Sequence, residues 1–101
     1  MSAKTNQITI SGVMIEKSEL RYTPGGIAMI EGTIHHMAEV FQAGAMRRLE
    51  FDVRILSFAD PAVRLNQVET GSDLLISGFI APRSQRSRQL TVHVTEFTIR
   101  S

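Results

Sequence analysis

Ile8-Thr-Ile-Ser-Gly-Val-Met-Ile15 decides the fold. Ile8 and Ile10 alternate with Thr9 and Ser11, the period-2 pattern of a strand with one buried face. Gly12 interrupts, and Val13 and Ile15 resume the alternation on the opposite parity. A glycine at such a change of phase predicts a bulge that bends the strand sharply. The strand is expected to continue to about Tyr22. There Thr23-Pro-Gly-Gly26 combines the fixed φ of proline with the positive φ open to glycine, and predicts a hairpin turn.

Outward from that strand, Ile27 to about Met37 places Ala28, Ile30, Gly32 and Ile34 on one face and Met29, Glu31, Thr33 and His35 on the other. This is a half-buried second strand. Val40-Phe-Gln-Ala-Gly44 is expected to be flexible. The cleanest alternation follows, with Leu49, Phe51, Val53 and Ile55 set against Arg48, Glu50, Asp52 and Arg54. One side of this third strand should face a core and the other water. The signal disappears between residues 58 and 71, where Asp60-Pro61 reads as an N-cap followed by a proline suited to the first helical turn. A short helix or irregular crossover is expected there. A fourth strand over Asp73–Ile80 and a fifth over Gln89–Ile99, the latter changing parity between Val94 and Phe97, complete the set. An all-β chain with a bulged first strand, an interruption after the third of five strands and long hairpin loops describes an OB-fold barrel. An SH3-like barrel explains the interruption less readily. Residues 1–101 are read as a single domain.

The connection between the last two strands is Ala81-Pro-Arg-Ser-Gln-Arg-Ser-Arg-Gln89, with three arginines in six residues and no acid among them. The net charge of +1 conceals this segregation, since residues 79–95 carry Arg83, Arg86 and Arg88 and no carboxylate. Local field rather than net charge steers a polyanion. Nine of the eleven basic side chains are arginine, whose planar fork suits phosphate oxygens and stacks on bases. Two readings remain open at this point: a cationic finger that tracks single-stranded nucleic acid, or a charged turn that keeps its hairpin from aggregating. The absence of cysteine excludes disulfides and thiolate metal sites. Met1-Ser-Ala-Lys-Thr-Asn6 lacks an apolar run of signal-peptide length, and no stretch approaches the roughly 20 apolar residues that span a bilayer. A cytoplasmic protein with no membrane partner is expected.

Enzymatic chemistry finds little support. His35 and His36 are adjacent on a strand, so their rings should point to opposite faces rather than share a metal ion. His93 lies on the polar parity of the fifth strand, where a solvated or cross-strand hydrogen-bonding role is expected. Glu50 and Asp52 share a face with Arg48 and Arg54 on either side, which reads as charge compensation rather than an acid–base pair. No phosphate-binding glycine loop, serine–histidine constellation or HExxH pattern occurs. No catalytic residue, cofactor or metal is expected. Met14, Met29 and Met37 either fill the core or form a soft docking surface.

Ile10-Ser-Gly-Val13, Pro24-Gly-Gly-Ile27, Ala43-Gly44, Val68-Glu-Thr-Gly-Ser72 and Gly78-Phe-Ile80, taken in order along the chain, resemble the primosomal replication protein N (PriB) family, relatives of bacterial single-stranded DNA-binding protein. The resemblance implies a homodimeric OB-fold that binds single-stranded DNA and assists a PriA-type helicase in replication restart, handing on to DnaT where that protein exists. It implies nucleic-acid contacts at Arg21 before the first turn, at Arg47 opening the third strand, and at Arg83, Arg86 and Arg88 in place of a lysine-rich loop; Arg48, next to Arg47, is a further candidate contact. Two departures stand out: Glu50 falls where the family presents a tryptophan, and Ala45 where it presents another aromatic. Tyr22 and Phe41 are the aromatics expected outside the core, and two roles stay open for each, a packing residue first and a surface for base stacking second. The alternative function is a protein-interaction adaptor with vestigial DNA binding. A general strand-coating protein fits less well, because no acidic tail follows Arg100-Ser101.

Overall fold

Residues 4–100 are described by the structure, a computed structural model. The strands are β1 (Ile8–Lys17), β2 (Arg21–Tyr22), β3 (Ala28–Gln42), β4 (Ala45–Phe58), β5 (Asp73–Pro82) and β6 (Leu90–Ile99), with helix α1 (Asp60–Asn66) between β4 and β5. The sheet order β1-β5-β6-β4-β3 closes through β1–β3 pairing into a five-stranded barrel, and the two-residue β2 lies outside it on β3. β4 and β6 run parallel, from Ile55↔Val92 to Ser57↔Val94, while the other neighbours are antiparallel. This is the OB-fold expected from the strand order.

β1 serves two neighbours. Its first half pairs with β5, from Ile8↔Gly78 to Val13↔Asp73, and its second half pairs with β3, from Val13↔His35 to Lys17↔Gly32. The bulge sits at Ile15, where Met14↔Ile34 is followed by Glu16↔Thr33, and not at Gly12 as the phase change implied. Gly12 answers a different demand. A Cβ there would stand 2.9 Å from the His35 carbonyl oxygen and 3.0 Å from Ile34 Cδ1, where β1 crosses from one neighbour to the other. Nor does β1 reach Tyr22. Ser18 ends it by bonding Glu31 twice, its N–H donating to the Glu31 carbonyl at 2.8 Å and its hydroxyl oxygen accepting from the Glu31 N–H at 3.0 Å. The Thr23–Gly26 turn forms as expected, closed by Thr23 N–H to Ile27 O (2.9 Å) and Gly26 N–H to Thr23 O (2.8 Å).

Residues 40–44 depart furthest from the flexible segment expected there. β3 and β4 pair without a register shift from Met29↔Phe58 to Gln42↔Ala45, and only Ala43 (φ 54°) and Gly44 (φ 82°) turn the chain. Positive φ at both central residues matches the twist of a two-residue hairpin. Val40 and Phe41 favour strand, so the expected flexible segment is instead the end of a long ribbon. The apolar side of β4 therefore outruns the core: Val53 and Ile55 pack inward, Leu49 is half-buried, and Phe51 is 44% exposed.

In β6 the change of parity is real. Ser77↔Glu96 is followed by Gly78↔Val94, which leaves Thr95 as the extra residue of a bulge. Ala59, at φ 62° and without a side-chain cap, precedes α1. Asp60 therefore sits in the first turn, where its charge suits the helix dipole, instead of capping it. Ala62 and Leu65 are buried and join Val68 against the barrel core of Met14, Ile30, Ile34, Leu74 and Ile76. Each of the larger of these side chains, Ala62 excepted, contributes on the order of 1.5–3 kcal/mol when removed from water. The Lys17 ammonium donates to the Asn66 carbonyl at 2.9 Å and also to that of Val68, satisfying acceptors at and just beyond the helix end. No helix among the described residues is long and apolar enough to cross a membrane.

Candidate nucleic-acid interface

Facing residues of an antiparallel pair project to the same side, so the unbroken β3–β4 register sorts the ribbon into two faces. The outer face carries Glu31 with Leu56, Thr33 with Arg54, His35 with Asp52, Met37 with Glu50, Glu39 with Arg48, and Phe41 with Met46. Arg21 joins this face as the partner of Met29. The other face carries His36 with Phe51, Ala38 with Leu49, and Val40 with Arg47. Arg47 and Arg48, neighbours in sequence, thus point to opposite sides, as do Arg21 and Tyr22. Arg47 donates to Gln42 Oε1 at 2.8 Å. Arg54 lies six positions along β4 from Arg48, roughly 20 Å at about 3.3 Å per residue. The two pairs of neighbours suggested by sequence therefore do not form one patch.

What converges is a different set. Arg83, just past the end of β5, donates from Nε to Glu31 Oε1 at 2.6 Å, and its Nη2 pairs with the same oxygen. From β4, Arg54 places Nη2 3.4 Å from Glu31 Oε2 while its Nη1 donates to Glu16 Oε1 and Thr33 Oγ1, both at 2.8 Å. From β2, Arg21 Nη2 lies 3.7 Å from Glu31 Oε1. Three guanidiniums against the carboxylates of Glu31 and Glu16 leave one positive charge in excess. Arg21 and Arg83 are candidates from the sequence, whereas Arg54 and Glu31 are not, because alternation shows only that a side chain faces outward. Arg86 and Arg88 are exposed on the β5–β6 loop, and neither makes an ion pair among the described residues.

Farther along the outer face, His35 is clasped by two carboxylates, with Nδ1 2.7 Å from Asp52 Oδ1 and Nε2 2.9 Å from Glu50 Oε2. The expected compensation of Glu50 and Asp52 by Arg48 and Arg54 is thus replaced by His35, since Arg54 turns toward Glu16 and Glu31. His36 lies on the other side as expected, its Nδ1–H donating to the Ser11 carbonyl at 2.7 Å. At the ribbon tip Phe41 and Met46 face each other, 71% and 62% exposed, and Tyr22 is also exposed. Of the methionines weighed as core or docking surface, Met14 is core, Met29 half-buried and Met37 exposed.

The hydrogen bond to Asp52, and then that to Glu50, raise the His35 pKa above its ordinary 6.5. A raised histidine pKa means that these ion pairs stabilise the fold fully below the unfolded value and lose that contribution as pH rises through the folded one. Over the same interval this stretch of the face changes from one net negative charge to two. Affinity for an anionic strand should therefore fall as pH is raised from about 6 to about 9. Anisotropy titrations of the parent and His35→Gln across that range test this: the parent should show a step that the variant lacks, and an identical profile would contradict it.

Residues 6–96 match the family described as another single-strand binding protein family. The chain is 35% identical over 98 residues to replication restart protein PriB of Nitrosomonas europaea, covering 97% of this chain and 91% of that one. It is 29% identical over 91 residues to the protein of the same name from Bordetella pertussis, covering 90% and 85% of the two chains. Among solved structures, PriB from Ralstonia solanacearum superposes with a TM-score of 0.87 at 22% identity, covering 97% of this chain and all of that one. The single-stranded DNA binding protein from Thermus aquaticus does so at 0.77 and 17%, with 96% of this chain matched to half of the other. Those two likenesses confirm the barrel, while the sequence relatives establish descent: this chain belongs to the replication restart protein PriB family.

Proposed function

We propose that the outer face of the β3–β4 ribbon, overhung by the β5–β6 loop, takes the backbone of single-stranded DNA. As a member of its family, the chain is a single-strand-binding component of replication restart. The observation that carries the site is the meeting of Arg21, Arg54 and Arg83, from three elements, with Arg86 and Arg88 exposed on the same loop as Arg83 and without an ion pair among the described residues. Arg48 and Phe41 lie on the same face and would extend the path along the ribbon, whereas Arg47 and Tyr22 would engage a strand passing around an edge. The protein acts without catalysis, as a cytoplasmic homodimer that brings a PriA-type helicase, and DnaT where present, to the DNA. Anisotropy titration with single- and double-stranded oligonucleotides at stated salt is expected to show preference for the single strand; equal or absent binding refutes the reading. Sedimentation equilibrium at micromolar concentration should give the dimer mass, and a monomer would remove that part of the proposal.

A carboxylate at Glu50, cross-strand from Met37 and bonded to His35, stands where the family resemblance places a stacking tryptophan. Glu50→Trp removes a charge that repels phosphate and adds a surface worth about 1–3 kcal/mol per stacked base. Tighter binding is expected, together with quenching of the new indole fluorescence on adding oligonucleotide, because the parent contains no tryptophan. Unquenched emission at saturating DNA would show that the strand passes elsewhere. The acids Glu39, Glu50 and Asp52 on this face favour a second reading, an adaptor whose loop meets an acidic partner. Competition between excess oligonucleotide and the helicase separates the two.

A further inference from the structure

Glu31 is nearly enclosed, its side chain 12% exposed, whereas Arg21, Arg54 and Arg83 around it are each about half exposed. A carboxylate has about four acceptor sites and each guanidinium five donors, so one carboxylate leaves three forks with donors to spare. Arg83 spends Nε and Nη2 on Glu31, while Arg21 at 3.7 Å contributes charge without a hydrogen bond. A shallow pocket beside the cluster brings Ser87 and Gln89 of the loop to the same mouth. The loop's other hydrogen bonds are local, Ser87 N–H to Ser84 O at 3.1 Å and Gln89 N–H to Ser87 Oγ at 3.2 Å. The side-chain bonds that tie the loop to β3 are those of Arg83.

We propose that Glu31 is an internal stand-in for a backbone phosphate: it latches the β5–β6 loop onto β3 through Arg83, and a phosphodiester of single-stranded DNA takes that arginine from it on binding. The inference rests on the single-strand reading above and adds a regulation of the same site. Releasing Arg83 would be costly if it left an enclosed carboxylate unpaired. Arg54 and Arg21 remain beside Glu31 and prevent that, so the loop moves between two paired states. Glu31 therefore acts against DNA binding. It holds affinity below what the arginines alone would give, and it keeps the cationic loop folded back when no strand is present.

Glu31→Gln, titrated with oligothymidylate across a salt series, tests the latch. The variant should bind about three- to fivefold tighter at each salt concentration, with the slope of log affinity against log salt unchanged, because the same arginines meet the strand in both proteins. The bonds between the Glu31 backbone and Ser18 are untouched by the substitution, and a thermal melt checks that the barrel persists. The unmodified protein supplies a second measurement that needs no variant. Its Arg83 Nε–H resonance should shift on adding oligonucleotide while that of Arg54 stays near its free position. Equal or weaker binding by folded Glu31→Gln, or an Arg83 resonance indifferent to bound DNA, overturns the latch. If the parent binds and removing the loop arginines weakens it, such a result removes the latch alone. If the parent binds no oligonucleotide, the single-strand reading falls and the latch with it.

Discussion

Replacing Arg83, Arg86 and Arg88 together by alanine is expected to weaken single-strand binding about 100-fold at roughly 0.1 M monovalent salt and to lower the salt slope by about 2. Each phosphate contact on a single strand contributes about 0.7 to that slope, and all three arginines are exposed. The loss should be nearly independent of base sequence, because phosphate contacts position a strand without reading it. Taken singly, Arg86 and Arg88 should each cost more than Arg83, whose guanidinium is already shared with Glu31. The thermal midpoint should barely move, since exposed loop positions distant from the core change stability by about 0.5 kcal/mol or less. If the triple variant binds oligonucleotide as the parent does, with the same slope, the loop is a solvated turn and the proposed site has lost its main contacts.

Gly78→Ala should have the largest effect on the fold of any single methyl added to this chain. A Cβ at Gly78 would stand 1.8 Å from the His93 carbonyl oxygen and 3.2 Å from Val94 Cα, so backbone, not a flexible side-chain end, must move. The position lies where β5 meets the Thr95 bulge of β6, and a shift there disturbs the ladder that closes the barrel on that side. Overpacking of this kind costs about 3 kcal/mol or more, which corresponds to at least about 12 °C in the midpoint of a domain of this size. Gly25→Ala is the matched control, because its added Cβ meets only Thr23 Oγ1, at 3.8 Å. That variant should melt within about a few degrees of the parent. Equal midpoints for the two variants would mean that the bulge accommodates a side chain and that Gly78 has no special place in it.

Period-2 alternation and turn chemistry were sufficient to read the strand order, the Thr23–Gly26 turn, the break after β4 and the parity change near Thr95, because those signals lie within a few residues of one another. The resemblance carried by short glycine-containing motifs agreed with the family established by the relatives. The bulge in β1 was displaced from Gly12 to Ile15 for a reason invisible locally. Gly12 is small because the His35 carbonyl passes close by, and His35 arrives there only when β3 pairs with β1. The ribbon end at Phe41 and Gln42 was missed for a similar reason: a weak local pattern becomes strand when a partner of matching length is available. Most of all, Arg21, Glu31, Arg54 and Arg83 meet through barrel closure and the register of three different pairings. Alternation along a strand states which side a residue faces, whereas long-range pairing sets which distant residue it faces there. The cationic loop was therefore plain in the chain, and the carboxylate that holds it was not.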